Sequence, residues 1–171
     1  MSERNNVIKM KGNPLTLTGH EVKVGDAAPD FTVLDENLGP VKLSSFKGKT
    51  VVIVSVPSID TPVCDLETRR FNQEAAKLGD KVAILGISMD LPFAQKRWCG
   101  AAGVDKVKML SDYRDASFGE NFGVLIKELR LLARTVFIID ANGKVAYIQY
   151  VEETTTEPNY DNVMAALKKV I

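Results

Sequence analysis

The chain has 171 residues, 45% hydrophobic and 26% charged, and its 22 basic and 22 acidic side chains cancel. Such a composition suits one globular domain over residues 1–171 with a sizeable core, and argues against a disordered, fibrous or membrane-embedded chain. Zero net charge and the lack of any block of like charges remove the electrostatic reason to bind nucleic acid or an anionic membrane, while two cysteines are too few for a disulfide framework or a cysteine-rich zinc cage and enough for one reversible pair.

The opening MSERNNVIKMKGN has neither the apolar core nor the cleavage site of a signal peptide, so the expected location is the cytoplasm. Short strand-like runs at 7–10 and 14–18 flank Lys11-Gly12-Asn13 and predict an N-terminal hairpin. A Gly- and Pro-bearing loop, 23–29, leads to extended pieces at 31–34 and 41–43 around a turn at 36–40. Residues 50–56 form a continuous β-branched run without alternation, the pattern of a central strand covered on both faces. From 62 to 79, Leu66, Phe71, Ala75 and Leu78 recur at near-helical spacing and Gly79 stands where a helix terminator belongs. A second buried strand at 81–89, a shorter helix at 92–99 closed by Gly100, and a strand at 107–110 complete a parallel βαβ pattern. The turn Asp140-Ala141-Asn142-Gly143 joins strands at 135–140 and 144–151, and 160–171 reads as an amphipathic helix. The apolar stretches 51–56 and 82–87 have six residues each, against about 20 needed to cross a bilayer. Parallel βαβ, then an antiparallel hairpin and a terminal helix, is an α/β mixed sheet flanked by helices, the arrangement of thioredoxin-like folds.

Chemistry concentrates at Pro57-Ser58-Ile59-Asp60-Thr61-Pro62-Val63-Cys64, between the central strand and the long helix. In open α/β sheets sites form at the carboxyl ends of strands. Pro62 suits the first helical position, with Thr61 or Asp60 as cap, so Cys64 falls in the first turn, among free N–H groups and at the positive end of the helix dipole. Both favour a thiolate over a thiol. A helix terminus supplies about 0.3–1 kcal/mol, up to about 2 when partly buried, whereas one pKa unit is about 1.4 kcal/mol, so a cation is also needed. Arg69, Arg70 and Arg134 are the candidates, and Asp65 and Glu67 would oppose ionisation if they faced the sulfur.

Each residue also has a plainer reading: Cys64 as a small buried hydrophobe, Thr61 as a helix cap, Arg134 as a surface charge at a strand edge, Cys99 as a helix-end thiol beside Trp98. The absence of Cys-x-x-Cys disfavours a thioredoxin-type disulfide exchanger. The one histidine, His20, lies in a loop, where it is normally just solvated, which disfavours a Cys-His hydrolase or a zinc site.

The run PSIDTPVC resembles the active-site signature of bacterial thiol peroxidases, the atypical two-cysteine branch of the peroxiredoxins. The likeness continues through Glu67-Thr68-Arg69-Arg70-Phe71-Asn72, a second cysteine in the next helix, Leu131-Leu132-Ala133-Arg134-Thr135-Val136-Phe137, and the openings 11–17 and 24–31, so that nearly the whole chain is covered. The resemblance implies a peroxidatic Cys64, attacked substrates that are hydrogen peroxide and organic hydroperoxides, and a sulfenic acid resolved by Cys99, 35 residues further on, as an intramolecular disulfide. It implies that Thr61 hydrogen-bonds sulfur and peroxide, that Pro57 shields the pocket and that Arg134 holds the thiolate. It further implies thioredoxin as the reductant, a homodimer, and no metal, haem or flavin. A non-enzymatic thioredoxin-like redox sensor or binding module is the competing expectation.

Overall fold

The computed structural model describes residues 2–171. In chain order it contains β1 (Glu3–Met10), β2 (Asn13–Thr18), β3 (Thr32–Leu34), β4 (Pro40–Lys42), β5 (Thr50–Ser55), α1 (Pro62–Ala75), β6 (Val82–Ser88), α2 (Pro92–Ala102), β7 (Lys108–Ser111), α3 (Ser117–Asn121), β8 (Leu125–Ile126), β9 (Leu131–Leu132), β10 (Thr135–Ile139), β11 (Val145–Tyr150) and α4 (Tyr160–Lys168), with a 3₁₀ turn at Leu43–Phe46.

All six residues of β5 are buried, because this strand lies in the middle of a seven-stranded sheet of order β11-β10-β5-β6-β7-β3-β4. Strands β5, β6 and β7 are parallel, and β10 joins β5 antiparallel. The period of two along a strand divides the core into two layers. Val51 and Ile53 pack with Ile8, Leu17, Phe118, Phe122 and Phe137 on one face, and Val52 and Val54 pack with Phe71, Val163, Leu167 and Ile138 on the other. The expected mixed α/β sheet flanked by helices is therefore present, with α1 and α4 on the second face. None of the helices is long and apolar enough to cross a membrane among the described residues.

Four boundaries differ from the sequence expectation, the simplest being α4, which ends at Lys168 rather than at Ile171. Helix α1 stops at Ala75; its last carbonyls are capped through Ala76, and Gly79, with φ of 72°, serves the turn that follows. Helix α2 runs past Gly100 to Ala102, and the left-handed residue is Gly103 (φ 70°), whose N–H returns to the Cys99 carbonyl. The hairpin turn is the pair Lys11-Gly12, both at positive φ, rather than three residues. Elements α3, β8 and β9 are absent from the sequence reading, and β8 and β9 extend the hairpin into a second sheet of order β1-β2-β8-β9. That sheet also positions the site. Lys9 donates its N–H to the Glu152 carbonyl (2.7 Å) and accepts from the Thr154 N–H (2.9 Å), tying the hairpin to the strap that follows β11.

Candidate active site

The loop 57–61 leaves the carboxyl end of β5, and the adjacent parallel strand β6 anchors it. Beyond the end of β6, Asp90 accepts the Ser58 hydroxyl (2.7 Å), the Ile59 N–H (2.9 Å) and the Ser88 hydroxyl (2.6 Å). With Pro57 and Ile59 buried as well, the chain enters α1 at a fixed angle. Pro62 occupies the first helical position and Thr61 caps the helix, its Oγ1 accepting from the Cys64 N–H (3.3 Å) and donating to the Ser58 carbonyl (3.1 Å). The Thr61 hydroxyl thus makes two bonds to backbone. Cys64, the third residue of α1, is fully buried.

The cation is Arg134, which stands just ahead of β10 and is only 2% exposed. Its Nη1 donates to Cys64 Sγ (3.2 Å) and to Glu67 Oε2 (2.6 Å), while Nε and Nη2 both donate to the Thr154 carbonyl (3.0 and 2.8 Å). A guanidinium forked among three acceptors cannot swing, so its charge stays on the sulfur. The plain reading of Arg134 as a surface charge fails. Arg69 and Arg70 are not the cation: Arg69 pairs with Asp65 (3.0 Å) and Arg70 with Glu74 (3.2 Å), both at the exposed face of α1.

The two carboxylates that threatened the thiolate have different fates. Asp65 points to α2, where the Trp98 indole N–H donates to it (2.8 Å), so its charge is spent on Arg69 and Trp98. Glu67 points inward, 0% exposed, against Arg134. Burial outweighs the neighbouring guanidinium and pushes the Glu67 carboxyl up to about 7. Leu66, expected on the buried face, is 55% exposed, because the polar Glu67 and Thr68 take the inward positions beside Phe71.

A cavity of about 260 Å³ opens beside this cluster, lined by Pro57, Thr61, Val63 and Arg134 and closed by Met10 of the hairpin and Thr154 of the strap. The walls are largely apolar, so a small neutral molecule with an alkyl substituent fits them better than an ion does. A larger cavity, about 370 Å³, lies at the opposite end of the sheet around Lys49, Ile139 and Asn142 and contains none of the sequence-predicted residues.

Cys99 stands apart. Both thiols are free, and Cys99 lines a different cavity, with Glu36, Gln95 and Asp105, that shares no residue with the one beside Cys64. Burial, with the Glu36 carboxylate adding to it, pushes the Cys99 thiol up to about 11. His20 is exposed on its loop. The structure brings together Cys64, Thr61, Pro57 and Arg134, and leaves Cys99 outside. The sequence reading missed Asp90 and Thr154, which act through loop and strap contacts that no local pattern signals, and it placed Glu67 only as a possible antagonist.

A protein-family model described as Redoxin matches residues 23–164. A thiol peroxidase of Bacillus subtilis (strain 168) is 62% identical over 164 residues, covering 96% of this chain and 98% of that relative. A thiol peroxidase of Staphylococcus aureus (strain MRSA252) is 55% identical over 163 residues, 95% and 98% of the two chains. Among solved structures, a peroxiredoxin-like protein from Aquifex aeolicus superposes with a TM-score of 0.90 at 46% identity over 96% of both chains. A thiol peroxidase from Chromobacterium violaceum, at 22% identity and a TM-score of 0.84 over 95% of both, shows the shared fold.

Proposed function

The chain belongs to the redoxin family and is a thiol peroxidase, and from that premise we propose that Cys64 is its nucleophile. The Cys64 thiolate attacks the terminal oxygen of a hydroperoxide; the S–O bond forms as the O–O bond breaks, and the departing hydroxide or alkoxide takes up a proton, leaving a sulfenic acid. The single observation that carries this reading is the 3.2 Å bond from the Arg134 guanidinium to a fully buried sulfur at a helix N-terminus. Arg134 steadies the thiolate and faces the negative charge that builds on the breaking O–O bond. Thr61 fixes the first turn, so that the Cys64 N–H and sulfur keep their places, and Pro57 walls water from the cavity.

Cys99 is the resolving thiol of the proposal. It attacks the sulfenic sulfur, expelling water and giving a Cys64–Cys99 disulfide. Cys64 is fully buried and Cys99 lines a cavity that shares no residue with the one beside Arg134, so in the proposal the first turn of α1 and the last turn of α2 unwind for that step. The chain entropy removed by a bridge across a loop of about 35 residues is worth roughly 4 kcal/mol against the unfolded chain, so loop length is no obstacle. Thioredoxin returns the disulfide to dithiol, and a homodimer acting in the cytoplasm completes the proposal, on family likeness.

The test is turnover. Catalytic amounts of the protein, with thioredoxin, its reductase and NADPH, should oxidise NADPH continuously when hydrogen peroxide or an alkyl hydroperoxide is added. One stoichiometric oxidation followed by silence would make the protein a redox sensor and contradict thioredoxin recycling.

A further inference from the structure

Glu67 is the group that the reaction above leaves without a role. It is fully buried, its Oε2 is held by Arg134 Nη1 at 2.6 Å, and its Oε1 has no hydrogen-bond partner among the described residues. The groups facing it come from three places. Cys64 lies one turn earlier on α1, sharing the same Nη1. Arg134 comes from the start of β10, its other donors taken by Thr154. Glu157 and Tyr160 come from the segment entering α4, where the Tyr160 hydroxyl donates to Glu157 (2.7 Å) and Arg70 lies over the Tyr160 ring, 4.7 Å from its centre. Glu157 further disfavours a charge on Glu67.

Counting charges in this pocket gives one buried cation for two buried acids. If Cys64 and Glu67 were ionised together, the cluster would carry an uncompensated negative charge where desolvation is most costly. Only one of the two can be Arg134's counter-ion at a time. We propose that Cys64 and Glu67 alternate in that role: Glu67 is a neutral carboxyl while Cys64 is a thiolate, and it ionises when Cys64 becomes a neutral sulfenic acid. This rests on the reading of Cys64 as the nucleophile and adds a proton source to it.

The step balances. Cys64–S⁻, Glu67–COOH and ROOH become Cys64–SOH, Glu67–COO⁻ and ROH. A sulfur lone pair forms the S–O bond, the O–O bond breaks, sulfur is oxidised by two electrons and the peroxide is reduced by two. The proton gained by the departing RO⁻ is matched by the proton released from Glu67, and the net charge around Arg134 does not change. Glu67 is therefore a positioning and charge-balancing residue that acts through Arg134. That its carboxyl is pushed up to about 7 by burial places it where both forms are accessible near neutrality.

Proton stoichiometry separates this from a structural ion pair. Full-length Cys99→Ser protein, in which the sulfenic acid persists, is mixed with one equivalent of hydrogen peroxide in weakly buffered indicator solution at about pH 6, below the Glu67 midpoint. The Cys64 thiolate absorbs in the ultraviolet before peroxide and not after; absence of that absorbance beforehand overturns the proposal. Expected is no net proton uptake in Cys99→Ser and one proton per peroxide in Cys99→Ser/Glu67→Gln. One proton in both, or none in both, overturns the counter-ion exchange. If the double variant does not fold, infrared difference spectra of Cys99→Ser alone decide: a carboxylic-acid carbonyl band must be lost on oxidation and a carboxylate band gained, and an unchanged acid band overturns the proposal. Dimedone labelling of Cys64 in the same samples tests the underlying nucleophile assignment separately.

Discussion

Cys64 and Cys99 carry the same thiol at opposite ends of two helices, and their surroundings differ in sign. Cys64, in the first turn of α1, meets helix N–H groups and the Arg134 guanidinium, although it is the more deeply buried of the two. Cys99, in the last turn of α2, has its own carbonyl engaged by the Gly103 and Val104 N–H groups and the Glu36 carboxylate nearby, and its thiol is pushed up to about 11. What separates them is the charge beside each, a guanidinium at the buried thiol and a carboxylate at the half-buried one, and on this contrast the proposal assigns reactivity at neutral pH to Cys64.

The sharpest way to break this contrast is to remove the cation. Arg134→Ala should lower peroxidase kcat/KM by about 10²–10³-fold, the scale seen when one preorganised charge-stabilising donor is deleted, and slow Cys64 alkylation at neutral pH toward that of Cys99. Steady-state kinetics and iodoacetamide rates check both. Arg134→Lys should recover only part of the loss, since an ammonium cannot reach sulfur, Glu67 and Thr154 together.

The next effect concerns Glu67 and stability. Its carboxyl is raised from 4.5 to about 7 in the fold, so the native state holds the proton more tightly than the unfolded chain does. Stability from this group is present in full below about pH 4.5 and is lost as pH rises through about 7, by about 3 kcal/mol in all. Urea denaturation across that range should show wild type losing stability relative to Glu67→Gln as pH rises; parallel curves would contradict a raised carboxyl.

Smaller changes sharpen the two helix ends. Thr61→Val removes the cap of α1 and should cost about 1 kcal/mol, whereas Thr61→Ser should cost a small fraction of that. Thermal unfolding compares them. Glu36→Gln takes a negative charge from beside Cys99, which must lower that thiol's pKa and speed its alkylation a few-fold, by about 2–5 times, on the scale of one screened charge.

Much of this was legible in the sequence because it is local. The β-branched run of β5, Pro62 after Thr61, and the alternation of strands and helices all follow from short-range sterics and periodicity, and they place Cys64 in a first turn without any tertiary information. The failures are where distant chain decides. Leu66 is expected inward with Phe71, yet Glu67 turns inward to Arg134, which arrives from far along the chain, and Thr68 turns inward to the Cys64 carbonyl. Gly100 and Gly79 each resemble a helix stop; only the Gly103 N–H bonded to the Cys99 carbonyl and the end of α1 at Ala75 show where the helices close. The short strands β8 and β9 exist through pairing with β2 and each other, and Asp90 acts on a loop that only a parallel neighbour strand brings within reach.

The contrast between the thiols is tested most directly by peroxide itself. Reduced protein is given one equivalent of hydrogen peroxide with dimedone present, and peptides are analysed by mass spectrometry at successive times. The account predicts a dimedone adduct on Cys64 alone at the earliest times, followed by loss of both thiols as a Cys64–Cys99 disulfide. Oxidation that appears first on Cys99, or two thiols that remain free, would contradict it.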